Sequence, residues 1–310
     1  MKRVWIDSDA GFDDLLAIQM VSKSADCVVD GLSLVAGNSE LPQVIDNARH
    51  MAATFDWKFP LFAGSPEPLF QELITAGDVL GPRGMHTKNR WFDDNCVDLN
   101  LQNAIDAMVS WLGALDKPAS ILALGPMTNL ALLFRQHPQV KEMISELVFM
   151  GGSTDRGNST AVAEFNFYAD PEAASEVLSS GVALSMIGIN ACRQVMVLPS
   201  DVETILSGNH QQKNLLADLL SGYLSIREPD GQQPMPLFDP TAAAALLMPD
   251  YITWQPANVA IELTGELTRG MSVCEFRVPQ KARQNARIAM GADEAGIRRL
   301  LFSSFSIEIA

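Results

Sequence analysis

Short apolar segments that alternate with longer segments of helical periodicity constrain the fold of this chain more than any other feature. The first apolar segment, Val4-Trp5-Ile6, precedes a helical pattern over residues 14–23. Because two parallel strands need a crossover that is usually helical, this alternation predicts a mostly parallel sheet flanked by helices. Further strands are predicted at residues 28–36, 121–124, 147–150 and 183–189, and further helices at 41–54, 129–135 and 171–180.

Three segments are less regular. Residues 64–95 are rich in Gly, Pro and polar residues, which predicts a loop over one edge of the sheet. A helix is expected to end near Arg227, before a turn at residues 228–231. Residues 257–263 and 272–278 are predicted strands joined through Thr264-Gly265, with antiparallel pairing as one arrangement. We expect one α/β domain over residues 1–310.

Composition excludes several classes of function. The chain has 22 Lys and Arg against 37 Asp and Glu, a net charge of −15, which disfavours binding to nucleic acid or an anionic membrane surface. The four cysteines form no CxxC pair, as is typical of reduced thiols. An acid follows the first apolar segment at Asp7, so we expect no signal peptide and a cytoplasmic protein.

An acidic cluster, Asp7-Ser8-Asp9-Ala10-Gly11-Phe12-Asp13-Asp14, follows the first strand directly. In open α/β sheets, ligands bind beyond the carboxyl ends of the strands. Carboxylates this close repel one another unless protons or a cation intervene, and oxygen ligands favour Ca²⁺ or Mg²⁺. The cluster therefore predicts a divalent-cation site with a carboxylate left for base chemistry.

A purely structural role is the alternative for these acids. Asp13 and Asp14 would then lie at a helix start, where negative charge is favourable, and Asp7 and Asp9 would be solvated. A single acid at a helix start usually does no more than this, whereas four acids at this spacing favour the cation site.

Two enzyme families carry acids in this position. Haloacid-dehalogenase-like phosphatases have an Asp-x-Asp-x-Thr/Val pattern, which Asp7 and Asp9 fit, although Gly11 stands where Thr or Val is expected. The full DxDxxxDD run instead resembles the inosine-uridine-preferring nucleoside hydrolases. Six further segments resemble that family in order: Val35-Ala36-Gly37-Asn38, Leu124-Gly125-Pro126-Met127-Thr128-Asn129-Leu130-Ala131, Phe149-Met150-Gly151-Gly152, Asn158 with Ala163-Glu164-Phe165-Asn166 and Asp170-Pro171-Glu172-Ala173-Ala174, Phe238-Asp239-Pro240, and Gly265-Glu266-Leu267-Thr268-Arg269-Gly270.

The resemblance implies a fold with a Rossmann-like core and a role for each matching residue. It implies one Ca²⁺ per chain, bound by the carboxylates of Asp9, Asp14 and Asp239 and the backbone carbonyl of Leu124. Asp9 would also take a proton from a calcium-bound water. The residues that would hold ribose hydroxyls or support the metal are Asp7, Asp13, Asn38, Asn158, Glu164 and Asn166.

The leaving base lacks an obvious proton donor in this sequence. Where members that accept inosine and uridine often have a His, this chain has Phe238. Three explanations stay open: an aromatic ring that stacks on a purine, a proton or hydrogen bond from a loop group, or slow hydrolysis with preference for a better leaving group. The candidate loop groups are His86, Tyr223, Arg227 and Trp91.

We therefore expect a calcium-dependent ribonucleoside hydrolase that releases ribose and free base in nucleoside salvage. Its base preference stays open with a lean to purines, and the resemblance implies a homodimer or homotetramer. A riboside-binding protein and a magnesium-dependent phosphatase with Asp7 as nucleophile are the alternatives.

Overall fold

Strand β1 begins the fold at the centre of a large sheet. The computed structural model describes residues 1–100, 102–277 and 284–309. The strands are β1 (Lys2–Ser8), β2 (Cys27–Leu34), β3 (Leu61–Ala63), β4 (Ala119–Ala123), β5 (Ile144–Met150), β6 (Leu184–Ile187), β7 (Met196–Val197), β8 (Met235–Pro236), β9 (Ile252–Ile261), β10 (Ser272–Glu275) and β11 (Ala286–Ala292).

Helices cover both faces of this sheet. They are α1 (Phe12–Lys23), α2 (Leu41–Phe55), α3 (Gly77–Leu80), α4 (Ala104–Gly113), α5 (Thr128–Gln136), α6 (Phe165–Ala169), α7 (Pro171–Leu178), α8 (Ile189–Cys192), α9 (Pro199–Ser207), α10 (Lys213–Leu224), α11 (Asp239–Leu247) and α12 (Glu294–Ser304). Within the described ranges, no helix has the length and apolar character needed to cross a membrane.

Nine of the described strands form one sheet in the order β10-β9-β11-β6-β5-β4-β1-β2-β3. Strand β9 pairs antiparallel with β10 and β11, and the other neighbours pair parallel. From β1 the chain builds outward through β2 and β3, and it then returns to build the other side from β4. The order of strands therefore reverses between β1 and β4, where open α/β sheets have a crevice for ligands.

Alternation along β1 divides the apolar interior between the two faces of the sheet. Val4 and Ile6 belong to the core formed with α1 and α11, whereas Trp5 belongs to the core formed with α4 and α5. Because both faces are covered, the strand is apolar at successive positions, as expected for a central parallel strand. The polar Asp7 is thus fully buried within an otherwise apolar strand.

The predicted α/β class with a mostly parallel sheet is confirmed, and the extent of the single domain, residues 1–310, stays a prediction. The pairing of β9 with β10 is antiparallel. Within residues 64–95 the structure adds the single turn α3 to the predicted loop, and residue 189 begins α8 rather than ending a strand. Val278, the end of one predicted strand, lies outside the described residues.

Candidate active site

The acidic cluster occupies the connection from β1 to α1. Asp9 follows the strand, and Asp13 and Asp14 lie in the first turn of α1. Between them Ala10 has φ 46°, a left-handed conformation uncommon for a residue with a side chain, and its N–H donates to Ser8 Oγ over 3.0 Å. This tight turn keeps the strand-end acid and the helical acids at the same edge of the sheet.

Asp14 is held rigidly from within the same connection. Ser8 Oγ donates to its Oδ1 over 2.5 Å, and the Gly11 N–H donates to its Oδ2 over 2.8 Å. A Cβ on Gly11 would lie 2.5 Å from Asn38 Nδ2, so glycine at this position lets the loop after β2 come close. The Asp14 carboxylate is fully buried.

The loop after β2 fixes Asp9. The Asn38 N–H donates to Asp9 Oδ2 over 2.7 Å. A Cβ on Gly37 would collide with that same oxygen and would lie 2.8 Å from Pro126 Cδ. Glycine at 37 is therefore required for the close approach of two strand ends, and it explains why Asn38 follows a glycine here.

Asp239 brings a fourth acid from the distant end of the chain. It is the first residue of α11, which packs against α1, and it is buried. One carboxylate oxygen from each of Asp13, Asp14 and Asp239 lies within 4.8 Å of the others. Asp14 also contacts the carboxyl groups of both Asp9 and Asp239.

This crowding has a direct electrostatic consequence. Burial, and then the charges of neighbouring acids, raise the pKa values of Asp9 and Asp239 well above the ordinary value, and burial also raises that of Asp14. Burial and the charge of Asp14 raise the pKa of Asp13 to about 7. Such acids stay charged together only beside a compensating cation. The donor set consists of hard oxygens, so the residues fit Ca²⁺ or Mg²⁺.

The Leu124 carbonyl faces the same space from the end of β4. Leu124 lines the cavity above the acids, and its oxygen accepts a hydrogen bond from Asn166 Nδ2 over 2.7 Å. Its N–H donates to the backbone carbonyl of Asp7 over 2.8 Å, which ties β4 to β1. This carbonyl is therefore available as a neutral oxygen ligand beside the carboxylates.

Asp7 lies behind the cluster rather than in the cavity. Its Oδ1 accepts hydrogen bonds from Ser33 Oγ and from Asn129 Nδ2, the latter over 2.8 Å, while its buried Oδ2 has no partner in the described part of the chain. Burial raises its pKa to about 7. Sequence reasoning missed Ser33 and Asn129 as partners of Asp7, although Asn129 belongs to one of the recognised motifs.

Three of the predicted ribose-side residues, Asn158, Glu164 and Asn166, lie at or near α6. Glu164 precedes this helix and accepts hydrogen bonds from the N–H groups of Gly152 and Asn166, each over 2.8 Å. Burial raises the pKa of Glu164 to about 7. Asn158 Oδ1 accepts from the Phe165 N–H over 2.9 Å. These bonds hold carboxyl and amide groups at the rim of one polar cavity.

That cavity has a volume of about 260 Å³. Sequence analysis identified most of its polar lining; the lining comprises Asp9, Asp13, Asn38, Ala76, Val79, Leu80, Leu124, Met150, Asn158, Ser159, Glu164, Phe165, Asn166, Tyr223, Ile226, Met235, Phe238 and Asp239. Sequence reasoning missed the apolar lining residues Val79, Leu80, Ile226 and Met235, because no periodicity marks α3, the segment after α10 and β8 as neighbours.

The candidate base-side residues divide into two groups. Phe238 and Tyr223 line the cavity, whereas His86, Arg227 and Trp91 lie outside its lining. His86 Nε2 bonds to the Val79 carbonyl over 2.7 Å, and Arg227 Nη1 donates to the Pro234 carbonyl over 3.3 Å. Trp91 packs under the Arg83 guanidinium, with the Cζ atom 4.2 Å from the ring centroid.

Comparisons with known proteins extend over nearly the whole chain. Residues 4–299 match the family described as inosine-uridine preferring nucleoside hydrolase. The pyrimidine-specific ribonucleoside hydrolase RihA of Escherichia coli is 30% identical over 305 residues, covering 96% of each chain.

Solved structures of similar fold also match nearly the whole chain. A purine-preferring ribonucleoside hydrolase from Gardnerella vaginalis superposes with a TM-score of 0.88 at 24% identity, covering 98% of each chain. A plant nucleoside hydrolase superposes with a TM-score of 0.89 at 26% identity, again over 98% of each chain. The likeness therefore includes all the strands whose ends carry the acids.

Proposed function

This chain belongs to the inosine-uridine preferring nucleoside hydrolase family, whose members are N-glycosyl hydrolases, and on that premise we propose that it hydrolyses ribonucleosides with one bound Ca²⁺. The products are ribose and the free base. The observation that carries the proposal is the convergence of acids from both ends of the chain at one end of a cavity. The proposed ligands are the carboxylates of Asp9, Asp14 and Asp239 and the carbonyl of Leu124.

The bound ion would lower the pKa of one water and bind ribose hydroxyls, which its six to eight oxygen ligands permit. Asp9 accepts a proton from the attacking water, because its Oδ2 is fixed by the Asn38 N–H while the side chain still lines the cavity. As the C1′–N bond breaks, its electron pair leaves with the base, positive charge develops on the sugar, and the water oxygen bonds to C1′. The surrounding carboxylates stabilise that charge.

The ribose would be held by residues that accept and donate hydrogen bonds. We assign this role to Asp13, Asn38, Asn158, Glu164 and Asn166, all of which line the cavity. Hydrogen bonds to backbone groups orient Asn158, Glu164 and Asn166 before the substrate arrives, which reduces the entropy lost on binding. Asp7 would support the metal ligands from behind through Ser33 and Asn129.

Release of reducing sugar from inosine, adenosine, uridine and cytidine tests the proposal. We expect release from at least one of these ribosides, loss of release with a chelator, and recovery when Ca²⁺ is restored. Metal still bound without release from any riboside would favour a riboside-binding protein instead. Release of phosphate from a phosphomonoester would favour the phosphatase, which the burial of Asp7 behind the cavity argues against.

Replacement of the assigned base tests the mechanism. Asp9→Ala is expected to lower kcat by about 10²-fold or more, because general-base catalysis contributes about 10²–10⁴-fold and Asp9 also binds the ion. Asp26→Ala, an exposed acid far from the cavity, is the matched control. An Asp9→Ala protein with unchanged kcat would overturn the assignment.

The preferred base is a finer part of the proposal. The similar proteins differ, one being named pyrimidine-specific and another purine-preferring. Phe238 lines the cavity, and an aromatic pair contributes about 0.5–1.5 kcal/mol beyond burial, to which the larger purine ring offers more stacking area. We therefore keep a lean towards purines among neutral nucleosides.

We also propose a cytoplasmic role in nucleoside salvage and assembly into a homodimer or homotetramer. The acidic composition, the separated cysteines and the family resemblance support these assignments. Light scattering on the purified protein measures the assembly, and a monomer at micromolar concentration would contradict it.

A further inference from the structure

Among the described residues, one wall of the cavity consists of apolar side chains. It is formed by Val79 and Leu80 of α3, Ile226 after α10, Met235 of β8, and Phe238. Helix α10 is packed tightly onto the neighbouring segment, since a Cβ on Gly222 would lie 2.9 Å from Thr87 Cα and would collide with the His86 carbonyl. Within this wall, Ile226, Met235 and Phe238 belong to one packed apolar cluster, whereas Val79 is 59% exposed.

The proton donors nearest to this wall point elsewhere. Tyr223 and Ser159 are the hydroxyl side chains of the described cavity lining, and the Tyr223 hydroxyl donates its proton to the Pro236 carbonyl over 2.6 Å. His86 lies behind α3, with Nε2 bonded to the Val79 carbonyl. A base seated against this wall would thus meet no Lys, Arg or His side chain of the described lining that could give it a proton.

The charged side chains that the described residues contribute to the cavity lining are all acidic. Its titratable side chains, among the described residues, are the carboxyl groups of Asp9, Asp13, Glu164 and Asp239 and the phenol of Tyr223, with no Lys, Arg or His in the lining. One divalent ion would offset part of this negative charge. A cavity lined by one sign of charge and enclosed by apolar walls attracts a ligand of the opposite sign.

We propose that the preferred substrates are ribosides of cationic N-heterocycles, in which the ring nitrogen bonded to C1′ belongs to a positively charged ring. This inference rests on the proposed function and concerns the leaving group of the same reaction. A pyridinium riboside and an N7-alkylated purine riboside share this chemistry.

The electron balance explains why such substrates suit the site. When the C1′–N bond breaks, its electron pair moves onto the ring and neutralises the positive charge, so the base leaves neutral without receiving a proton. The oxygen of water bonds to C1′, and one water proton passes to Asp9 and then to solvent. A neutral nucleoside would instead release an anionic base or need the proton that this wall does not supply.

Steady-state kinetics on matched substrate pairs test the proposal. The probes are nicotinamide riboside against uridine, and 7-methylinosine against inosine, which has the same ring system. We expect kcat/KM to be at least tenfold higher for each cationic riboside than for its neutral counterpart. An advantage below tenfold in either pair overturns the inference while leaving ribonucleoside hydrolysis intact. No sugar release from any of the four would instead overturn the proposed function.

A variant that adds a proton donor to the wall separates the effect of the site on kcat/KM from the intrinsic reactivity of the substrates. Phe238→His places an imidazole on the apolar wall, and it should shift the kcat/KM ratio by at least tenfold towards inosine over 7-methylinosine. Phe238→Leu, which removes the ring without adding a donor, should give no such shift. An unchanged ratio in a folded Phe238→His protein, or an equal shift in Phe238→Leu, would overturn the inference.

Discussion

At the scale of single residues, the site depends on glycines as much as on acids. Gly37 lies where the loop after β2 passes Asp9 and Pro126, and no side chain fits between them. The Asn38 N–H can reach Asp9 only because this approach is so close. The position of the proposed general base is therefore set partly by a residue that has no functional group.

Gly37→Ala tests this role. The added Cβ would displace Asp9 or the loop, so we expect Ca²⁺ affinity and kcat/KM each to fall about tenfold or more, measured by calorimetry and sugar release. Gly113→Ala is the matched control, because a Cβ there meets no atom within 4 Å. Equal behaviour of the two variants would contradict the role given to Gly37.

At the scale of elements, helix α10 positions the base-side wall. Tyr223 and Ile226 lie at its end, and Gly222 lets the helix approach the backbone of His86 and Thr87. The proposed ligands of the ion come from other elements, at the ends of β1 and β4 and the starts of α1 and α11. The two parts of the cavity can therefore be perturbed separately.

Gly222→Ala should move α10 away from residues 86–87. Because overpacking in a dense core typically costs about 1–3 kcal/mol, we expect lower stability and a KM raised several-fold. The affinity for Ca²⁺ should stay within about twofold of wild type, since no proposed ligand lies on this helix. A KM that stays unchanged while Ca²⁺ affinity falls would contradict the separation of the base-side wall from the proposed ligands of the ion.

The elements also show what the sequence could predict. Asp9, Asp14 and Asp239 were identifiable as candidate metal ligands because their motifs are local and each residue follows or begins a regular element. The apolar wall was not, because Val79, Ile226 and Met235 become neighbours only through long-range packing. Tyr223 was named as a donor, yet its hydrogen bond to Pro236 depends on how the chain packs after the predicted turn at residues 228–231.

At the scale of the whole molecule, the fold concentrates charge at one reversal of strand order. Burial raises the pKa values of Asp7, Asp13 and Glu164 to about 7. In an unfolded chain such carboxyls titrate at about 4. Without a divalent ion, the folded state therefore binds more protons than the unfolded state between these values, and stability is lost as pH rises from about 4 to about 7.

This loss of stability with rising pH predicts how the melting temperature depends on pH. In the presence of a chelator, the Tm should fall as pH is raised from about 5 to about 8. Added Ca²⁺ should raise the Tm more at about pH 8 than at about pH 5, because protons compete with the ion. A chelated protein whose Tm rises over this range would show that the buried acids do not destabilise the folded state as the pH rises.

The most direct test of the account is a calorimetric titration of Ca²⁺ into metal-stripped protein. Acids from the two ends of the chain are proposed to bind a single ion, so wild type should bind one Ca²⁺ per chain. Asp14→Asn and Asp239→Asn should each weaken binding by about tenfold or more, since each removes a charged ligand, whereas Asp26→Asn should not. Wild-type affinity in Asp239→Asn, or no saturable site in the wild-type protein, would contradict the account.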